Sequence, residues 1–313
     1  MGNITCKICN EVFAEDSNLH RHLKAHKIRI EDYYVTHFPR KDLFDDAPIK
    51  FKNKEQYFST DFNGRLNLKK WIKEKPEEEV KSYIKELLVR RKEKKGIKYS
   101  PCQVELRSLI TPPIKVYNKF FKNYYNLCSE LGLINKFDNF NKIEVDESQD
   151  FTSCKIFVDS REQRPLVFSR ASEMVGLKFG DYTFSNPAST GNCYIERKSV
   201  NDLIGTLSGG YERFIREIER AKANGAYLVI LVEESFNNCM GFNFLPHVYQ
   251  KGVKPTPEFI FHNVREILQN YLDVQFLFVD GRKEASRVVE KIFTCGLAYK
   301  KIDLQFAYDE KRL

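Results

Sequence analysis

Several features that would place the chain in a specialised class are missing from its sequence. No apolar run approaches the roughly 18 to 20 residues that a bilayer span requires, and the N-terminus lacks the basic start and apolar stretch of a secretory signal. A myristoylation site needs Ser or Thr at the position that Cys6 occupies. No G-x4-G-K-[ST] phosphate-binding loop and no internal repeat is present. We therefore expect a soluble, intracellular protein.

Cysteine is too sparse for a disulfide scaffold. The 313 residues include eight cysteines, of which only Cys6 and Cys9 lie close together, and this usage is typical of a reducing compartment such as the nucleus or cytoplasm. Hydrophobic residues make up 42% of the chain, which suffices for folded cores and excludes a disordered chain. Lys and Arg number 51 against 43 Asp and Glu, and the resulting net charge of +8 suits a nucleic-acid partner.

Three segments differ in their sequence pattern. Residues 1–30 are rich in Cys and His, residues 31–145 are mainly helical and basic, and residues 153–313 alternate strand-like and helix-like stretches. The polar, acidic stretch 139–151 predicts a linker before the last segment. The sequence therefore predicts a small N-terminal domain, a middle region of unknown role and a larger C-terminal domain.

The middle segment contains the clearest helix signal. Pro76 at the first turn and Gly96 as a stop bracket one amphipathic helix, and a second helical run covers 115–133. Basic residues close the first helix: Arg90, Arg91 and Lys92. These cations either complement the helix dipole or contact DNA phosphates. The aromatic residues of the second run, at helical spacing, are expected in a core rather than stacked on bases.

The last segment predicts an α/β domain. Strands are expected over 155–160, 180–185, 192–199, 226–234 and 274–279, and helices around 171–175, 200–207, 211–225, 258–271 and 282–293. Strands and helices that alternate at these lengths predict a mostly parallel sheet with helices on both faces. The continuous apolar run 228–232 predicts a central strand that is buried on both sides.

A metal site is predicted near the N-terminus. The spacing is Cys6-x2-Cys9-x12-His22-x3-His26, which is typical of a zinc site with a hairpin that carries thiolates and a helix that carries imidazoles. Phe13 and Leu19 stand where so small a module needs its large core residues, and zinc would supply its folding energy. The alternative is a chance arrangement of two cysteines near histidines.

Residues 4–28 resemble the two-cysteine two-histidine zinc-finger family, whose fold is ββα. The resemblance implies that Glu15, Asn18 and Arg21 occupy the base-reading positions of the helix. A single finger reads only about three base pairs, so it supplies little sequence specificity. Alternatively, this module binds another protein or only caps the next domain.

A cluster of carboxylates is predicted at one edge of the C-terminal sheet. Asp181 begins one strand, Glu196 and Lys198 project from the same face of another because residues i and i+2 share a face, and Asp159 ends a third. Two or three carboxylates bind Mg²⁺ or Mn²⁺ through oxygen, and an ammonium group steadies an attacking water or phosphate charge. The bland alternative is an exposed strand with a solvated ion pair.

Three motifs surround this cluster: Val158-Asp159-Ser160-Arg161-Glu162, then Gly180-Asp181-Tyr182, then Glu196-Arg197-Lys198 with Asp202 and Leu203 following. With these motifs, residues 154–295 resemble the XPF family of structure-specific endonucleases. The resemblance implies a restriction-endonuclease-like core with Asp159, Asp181 and Glu196 as magnesium ligands. It also implies Arg161 and Lys198 as catalytic residues, and supporting roles for Glu162, Arg197, Asp202 and Arg213.

The resemblance implies a metal-dependent DNA endonuclease, but the sequence departs from the family pattern. After Cys295 only 18 residues remain, too few for the tandem helix-hairpin-helix units that usually hold DNA, and no G-x4-G-K-[ST] loop indicates the helicase-like half with which the family often begins. We therefore expect the finger and the basic region 69–98 to hold DNA. The family implies a homodimer or heterodimer through the nuclease domain. The alternative function is a non-catalytic DNA-binding or scaffold subunit of a repair or recombination complex.

Overall fold

The protein is described here by a computed structural model. It covers residues 4–38, 71–109, 111–138, 150–186, 192–242 and 255–313, together with residues 147, 245 and 248. Most of the predicted linker 139–151 and residues 69–70 of the basic region lie outside the described residues. The chain divides into two compact units, 1–83 and 84–313. Within the described part of the chain, no helix is both long enough and apolar enough to cross a bilayer.

The N-terminal unit begins with the predicted ββα arrangement. Strands β1 (Ile4–Thr5) and β2 (Val12–Phe13) pair antiparallel, and helix α1 (Asp16–His22) follows and continues as a 3-10 turn over Leu23–His26. A further helix, α2 (Ile30–His37), extends beyond the segment that resembles a zinc finger.

Helix α2 packs on the finger through two tyrosines. Tyr33 is fully buried with Leu19 and Leu23, and its hydroxyl accepts a hydrogen bond from the backbone N–H of Lys7 at 2.9 Å. The hydroxyl of Tyr34 lies 2.9 Å from Nε2 of His20, the histidine outside the metal-ligand spacing. The folded N-terminal module therefore extends to about residue 38, because the core of so small a finger gains a buried aromatic ring from α2.

Helices precede the sheet as the sequence predicts, with one correction. Helix α3 (Glu77–Lys95) ends before Gly96, whose φ of 66° is the left-handed stop conformation. Helix α4 (Gln103–Ser108) follows. The predicted run 115–133 is two helices, α5 (Ile114–Phe121) and α6 (Tyr124–Glu130), because Lys122 takes a φ of 62° and Asn123 caps α6. Their residues Tyr117 and Tyr124 are fully buried, as expected of core aromatics.

A six-stranded sheet forms the centre of the second unit, in the order β4-β3-β5-β6-β7-β8. The strands are β3 (Ile156–Asp159), β4 (Ser172–Val175), β5 (Tyr182–Phe184), β6 (Cys193–Lys198), β7 (Tyr227–Val232) and β8 (Val274–Phe278). The pairs β3–β4, β6–β7 and β7–β8 are parallel, and β5 pairs antiparallel with both of its neighbours. The predicted mostly parallel sheet is confirmed.

One predicted helix is wrong. The stretch 171–175 was expected as a helix, but Ser172–Val175 is an edge strand that pairs in register with Ile156–Asp159. A segment of this length is too short to display a helical or a strand-like period, so its backbone pairing with β3 decides its conformation. Its outer edge is exposed, which removes the burial signal that would have identified a strand.

Helices cover both faces of the sheet. They are α7 (Val200–Thr206), α8 (Tyr211–Ala223), α9 (Phe236–Met240), α10 (Pro257–Asn270), α11 (Arg282–Thr294) and α12 (Leu304–Asp309), with a 3-10 turn at Ala298–Lys300. On one face Val229 and Leu231 join a core cluster with Val288 and Ile292 of α11. On the other, the ring of Phe278 lies 5.7 Å from that of Phe261 in α10. All six residues of β7 are buried, as the apolar run predicts.

Residues 84–138 pack against the C-terminal part of their own unit through polar contacts, of which the one between Gln103 and Asp303 is buried. The backbone N–H of Gln103 donates to Asp303 at 2.6 Å, Arg107 pairs with Asp309 at 2.7 Å, and Lys136 donates to the carbonyl of Leu268 at 3.0 Å. The division between compact units therefore falls at residues 83 and 84, whereas the sequence predicts a domain boundary between 145 and 153.

The sequence predicts that a dimer would form through the apolar surfaces of helices 258–271 and 282–293, which are α10 and α11, and these surfaces are largely buried within the unit. Ile260, Val264 and Ile267 of α10 are fully buried, and α10 packs against β8 and α4. Phe259 remains about half exposed on this helix. Dimer formation through these helices stays a prediction.

Candidate functional site

The strand directions bring the predicted carboxylates to one edge of the sheet. Strands β3 and β6 run parallel to each other through the intervening antiparallel strand β5, so the carboxyl ends of β3 and β6 meet the amino end of β5. Asp159 ends β3, Asp181 immediately precedes β5, and Glu196 lies in the last half of β6. Backbone hydrogen bonds hold the edge together: Asp159 N–H donates to the carbonyl of Asp181 at 2.8 Å.

Asp159 is buried and fully engaged by its neighbours. Its carboxylate accepts hydrogen bonds from Nε of Arg161 at 2.8 Å and Nη2 of Arg161 at 3.0 Å, and from the backbone N–H of Leu177 at 2.8 Å. The hydrogen bonds from Arg161 lower the pKa of Asp159 to about 2. The Arg161 side chain is itself 75% exposed, so its outer surface remains open to a ligand.

Gly180 lets the loop before β5 approach β6 closely. Its φ is 58°, and a Cβ at this position would lie 2.8 Å from the carbonyl oxygen of Ile195, a separation that a side chain cannot adopt. The next residue, Asp181, donates its N–H to that carbonyl at 2.8 Å, and its carboxylate accepts from the backbone N–H of Arg197 at 2.7 Å. The glycine therefore fixes Asp181 beside Glu196.

The carboxyl group of Asp181 has a pKa far above that of an ordinary aspartate. Burial raises the pKa of Asp181 to about 7, and the negative charge of Glu196 acts in the same direction. A divalent cation bound between these two carboxylates would offset the negative charge that raises the pKa of Asp181.

The alternation of β6 separates its three charged residues as predicted. Lys198 Nζ contacts the carboxylate of Glu196 and lies 5.4 Å from the centre of the Phe214 ring. Arg197 points to the other side, where its guanidinium binds Glu162 at 2.9 Å and Glu233 at 2.8 Å. Arg197 and Glu162 therefore form part of the packed framework beneath the site.

The remaining predicted supporting residues lie further out. Asp202 closes a capping box with Ser199 at the start of α7 and so fixes the helix that follows β6. Arg213 is 74% exposed on α8, and its nearest ion-pair partner is Glu217 at 3.7 Å. The structure does not bring Arg213 to the carboxylates.

A cleft of about 220 Å³ opens at these carboxylates. Four predicted residues line it: Asp159, Arg161, Asp181 and Glu196. The sequence interpretation missed other lining residues that come from the loop before β5 and from α8, among them Lys178, Phe179, Glu217 and Arg220. The packing of α8 beside β7 brings Glu217 and Arg220 to the cleft, a contact that no local motif marks. Lys178 and Phe179 directly precede the Gly180-Asp181 motif, and that adjacency is the sequence signal that could have found them.

The cleft offers oxygen ligands to a divalent cation, but only two of the three predicted carboxylates are available without a rearrangement. Asp181 and Glu196 both face it, while both oxygens of Asp159 accept hydrogen bonds from Arg161. Among the described residues, the carboxylate oxygens of Asp159, Asp181 and Glu196 do not form a close three-ligand set, whereas the ligand atoms of the four predicted zinc ligands do. The donor set fits Mg²⁺ or Mn²⁺ through Asp181 and Glu196, and Arg161 would have to release an oxygen of Asp159 for a third ligand.

The predicted zinc ligands do come together in the N-terminal unit. Their ligand atoms, from Cys6, Cys9, His22 and His26, all lie within 4.8 Å of one another. A carboxylate oxygen of Glu11 lies 3.3 Å from Nδ1 of His22, the outer contact that usually orients a metal-bound imidazole. Two thiolates and two imidazoles suit tetrahedral zinc. Glu15 and Arg21 of the predicted base-reading set are exposed, and Asn18 is half-buried.

Most of the basic residues at the end of α3 form contacts within the protein. Arg91, whose side chain is 8% exposed, forms an ion pair with buried Glu105, and Lys92 donates to the carbonyl of Leu131 at 2.9 Å. Arg90 is 64% exposed and pairs with Glu86. Of the three predicted phosphate contacts, only Arg90 presents its guanidinium to solvent.

A family model and two solved structures are similar to part of the chain. Residues 158–292 match the family model described as the ERCC4 domain. XPF from Aeropyrum pernix is 19% identical over 44% of this chain and 63% of that chain, with a TM-score of 0.33. XPF from Aeropyrum pernix in complex with DNA is 22% identical over 44% of this chain and 62% of that chain, with a TM-score of 0.33.

The chain spans less than two thirds of the length of these two structures. No curated protein matches the chain in sequence. The matched segment 158–292 contains all the predicted motif residues from Asp159 to Arg213, including the four that line the cleft. We conclude that this segment is an ERCC4 domain, in agreement with its resemblance to the XPF family of structure-specific endonucleases.

Proposed function

We propose that the protein is a metal-dependent DNA endonuclease that hydrolyses phosphodiester bonds at branched or otherwise structured DNA. The observation that carries this proposal is the half-buried pair Asp181 and Glu196, with Lys198 beside it, in a cleft of the ERCC4 segment. A carboxylate with a raised pKa next to a second carboxylate is typical of catalytic sites, whereas a solvated surface ion pair has neither burial nor a cleft.

Asp181 and Glu196 are the residues that would hold Mg²⁺ or Mn²⁺. When bound there, the cation lowers the pKa of a water molecule and polarises the scissile phosphate. The protein contributes the geometry: Gly180 and the N–H of Arg197 fix the Asp181 carboxylate, so little reorganisation is needed when substrate binds.

Lys198 and Arg161 are the cations that act on substrate in this proposal. Lys198, held by Glu196, orients the attacking water and stabilises negative charge that develops on the phosphate. Arg161, anchored by Asp159 and exposed on its outer side, contacts the scissile phosphate. Asp159 either positions Arg161 or serves as the third metal ligand after Arg161 shifts.

The finger would bind zinc and contribute DNA contacts through Glu15, Asn18 and Arg21. With one finger, base reading covers at most about three base pairs, so DNA shape rather than sequence would select the substrate. A homodimer or heterodimer through the ERCC4 domain is part of the proposal, and sedimentation velocity of the purified protein tests it.

A cleavage assay tests the proposed function. Labelled duplex, fork, flap, nicked and single-stranded DNA are incubated with the wild-type protein and with Asp181→Ala, with and without Mg²⁺. We expect Mg²⁺-dependent cutting of at least one branched structure and a loss of orders of magnitude in the variant, whereas DNA binding changes little. If the wild type binds these DNAs but cuts none, the scaffold function is favoured.

A further inference from the structure

The cleft has cations of two kinds. Arg161 binds Asp159, and Lys198, which adjoins the cleft, binds Glu196. Their charges are therefore largely neutralised before substrate arrives. The other two lining cations are Lys178, in the loop before β5, and Arg220, near the end of α8. Both side chains are exposed.

Lys178 and Arg220 are distinguished by having no protein partner. Across the ranges that the structure describes, neither side chain forms an ion pair or a hydrogen bond to another residue. Glu217 lies one turn before Arg220 on the same helix and lines the cleft too, but its ion-pair partner is Arg213. Two unpaired cations at one small cleft are therefore available to a ligand.

The negative charge of the cleft makes Lys178 and Arg220 important for binding an anion. Four carboxylates line it, from Asp159, Asp181, Glu196 and Glu217. A polyanion that approaches such a surface is repelled unless cations offset the carboxylates. Arg161 is already held by one carboxylate, so Lys178 and Arg220 provide most of the remaining attraction.

The size of the cleft indicates what kind of anion enters. Its volume of about 220 Å³ is below the range of roughly 300 to 1,000 Å³ for pockets that enclose a whole small molecule. A cleft of this size that opens to solvent accommodates one backbone segment of a longer chain. A phosphodiester backbone has the charge to bind both cations at once, with its neighbouring phosphates on either side of the scissile bond.

We propose that Lys178 and Arg220 bind the phosphates that flank the scissile phosphodiester, so that the cleft holds the DNA backbone itself. This inference rests on the proposed nuclease function of the same cleft. It assigns part of the DNA grip to the ERCC4 domain rather than to the finger and the basic helix end. Phosphate contacts carry no base information, so this grip is independent of sequence.

Binding is measured first, apart from cleavage. The full-length protein carrying Glu196→Gln is titrated, without Mg²⁺, into a fluorescein-labelled flap DNA at several salt concentrations. Lys178→Ala and Arg220→Ala are compared singly and together. Arg216→Ala, on α8 but outside the cleft, and Lys283→Ala, exposed on α11, are the matched controls.

We expect each cleft substitution to weaken DNA binding by about tenfold, the usual effect of losing one charge-assisted contact. The slope of log affinity against log salt should fall by roughly 0.9 for each lost contact on duplex DNA. Lys178→Arg and Arg220→Lys should restore most of the affinity because they keep the charge. The controls should leave affinity and slope unchanged.

Cleavage then separates this inference from the proposed function. In the background with Glu196 intact, the double alanine variant should show a raised KM with kcat changed little at saturating DNA. If the double variant binds DNA with the affinity and salt slope of the controls, the inference is overturned, whether or not the protein cuts. If binding weakens as expected but the wild type cuts no DNA, the phosphate contacts stand and the nuclease function fails.

Discussion

Replacing Asp181 by Asn should make the magnesium-free protein more stable at neutral pH. The ordinary pKa of an aspartate is 3.8, and burial with the charge of Glu196 raises that of Asp181 to about 7. Between these pH values the folded protein keeps a proton that the unfolded chain has released. The free energy of unfolding therefore falls as pH rises from about 4 to about 7, and the loss is complete above the folded-state pKa.

The magnitude follows from the two pKa values. A tenfold change in proton affinity corresponds to about 1.4 kcal/mol, so full ionisation of Asp181 costs at most about 4 kcal/mol. Because the site is open on one side and solvent screens part of this cost, we expect a gain of about 1 to 2 kcal/mol for Asp181→Asn at pH 8. The Asn side chain keeps the oxygen that accepts from the N–H of Arg197.

Thermal unfolding in magnesium-free buffer, without a chelator that would strip the finger, measures this effect. A gain of 1 kcal/mol in a unit of this size raises Tm by about 2 to 4 °C. Asp273→Asn, which changes an exposed carboxylate elsewhere, is the control and should leave Tm unchanged. A wild type and an Asp181→Asn variant with equal Tm at pH 8, and parallel dependence on pH, would show that Asp181 ionises without cost and would refute the reasoning.

Three further outcomes follow from the structure. Purified protein should contain one zinc ion per chain by mass spectrometry under native conditions, and Cys9→Ser should lose it; metal-free wild type would contradict the finger. The Mg²⁺ concentration that gives half-maximal single-turnover cleavage should fall as pH rises towards about 7, because the cation competes with a proton for Asp181; a Mg²⁺ requirement that does not change over this range would contradict Asp181 as a ligand. A fragment of residues 71–313 should fold, whereas a fragment of residues 146–313 should aggregate or have a Tm several degrees lower. The shorter fragment lacks Gln103 and Arg107, which bind Asp303 and Asp309. Equal Tm values for the two fragments would show that residues 84–138 are dispensable.

Local pattern sufficed for much of the site. The alternation of side chains along a strand places Glu196 and Lys198 together and Arg197 on the other side, and the structure has this arrangement. The zinc ligand spacing likewise brings the four side chains together, because helix and hairpin geometry determine those short distances.

Long-range packing was beyond the sequence. Arg91 was predicted to contact a DNA phosphate, but its guanidinium forms an ion pair with Glu105. This pair depends on how α3 and α4 pack, which the sequence does not reveal. Gln103 meets Asp303 across 200 positions of sequence, a contact that no local pattern encodes. For the same reason the segment 31–145 looked like a separate region, although its second half shares a compact unit with the ERCC4 domain.

The edge strand β4 and helix α2 illustrate a different limit. Ser172–Val175 gains its conformation from pairing with β3, and an exposed edge strand leaves no alternation of burial to detect. Helix α2 is short, and its contact with the finger core rests on buried Tyr33 with Ile30 and Tyr34 partly buried beside it, so its position depends on a few tertiary contacts. Segments whose structure rests on a partner are the ones that sequence periodicity does not determine.

Single-turnover cleavage by Glu196→Gln, compared with wild type and with Arg216→Ala, tests the central claim most directly. The enzyme is held in excess over one labelled branched DNA in Mg²⁺, so that the rate reports the chemical step and not binding. Glu196→Gln keeps the size of the side chain but removes the negative charge that would bind the cation, and Arg216 lies on α8 away from the cleft. We predict that Glu196→Gln binds the DNA but cuts it slower by at least about a hundredfold, an effect of the size seen when one essential electrostatic contact of an active site is removed, while Arg216→Ala cuts at the wild-type rate. Cutting by Glu196→Gln at the wild-type rate would contradict the assignment of this cleft as the site of hydrolysis.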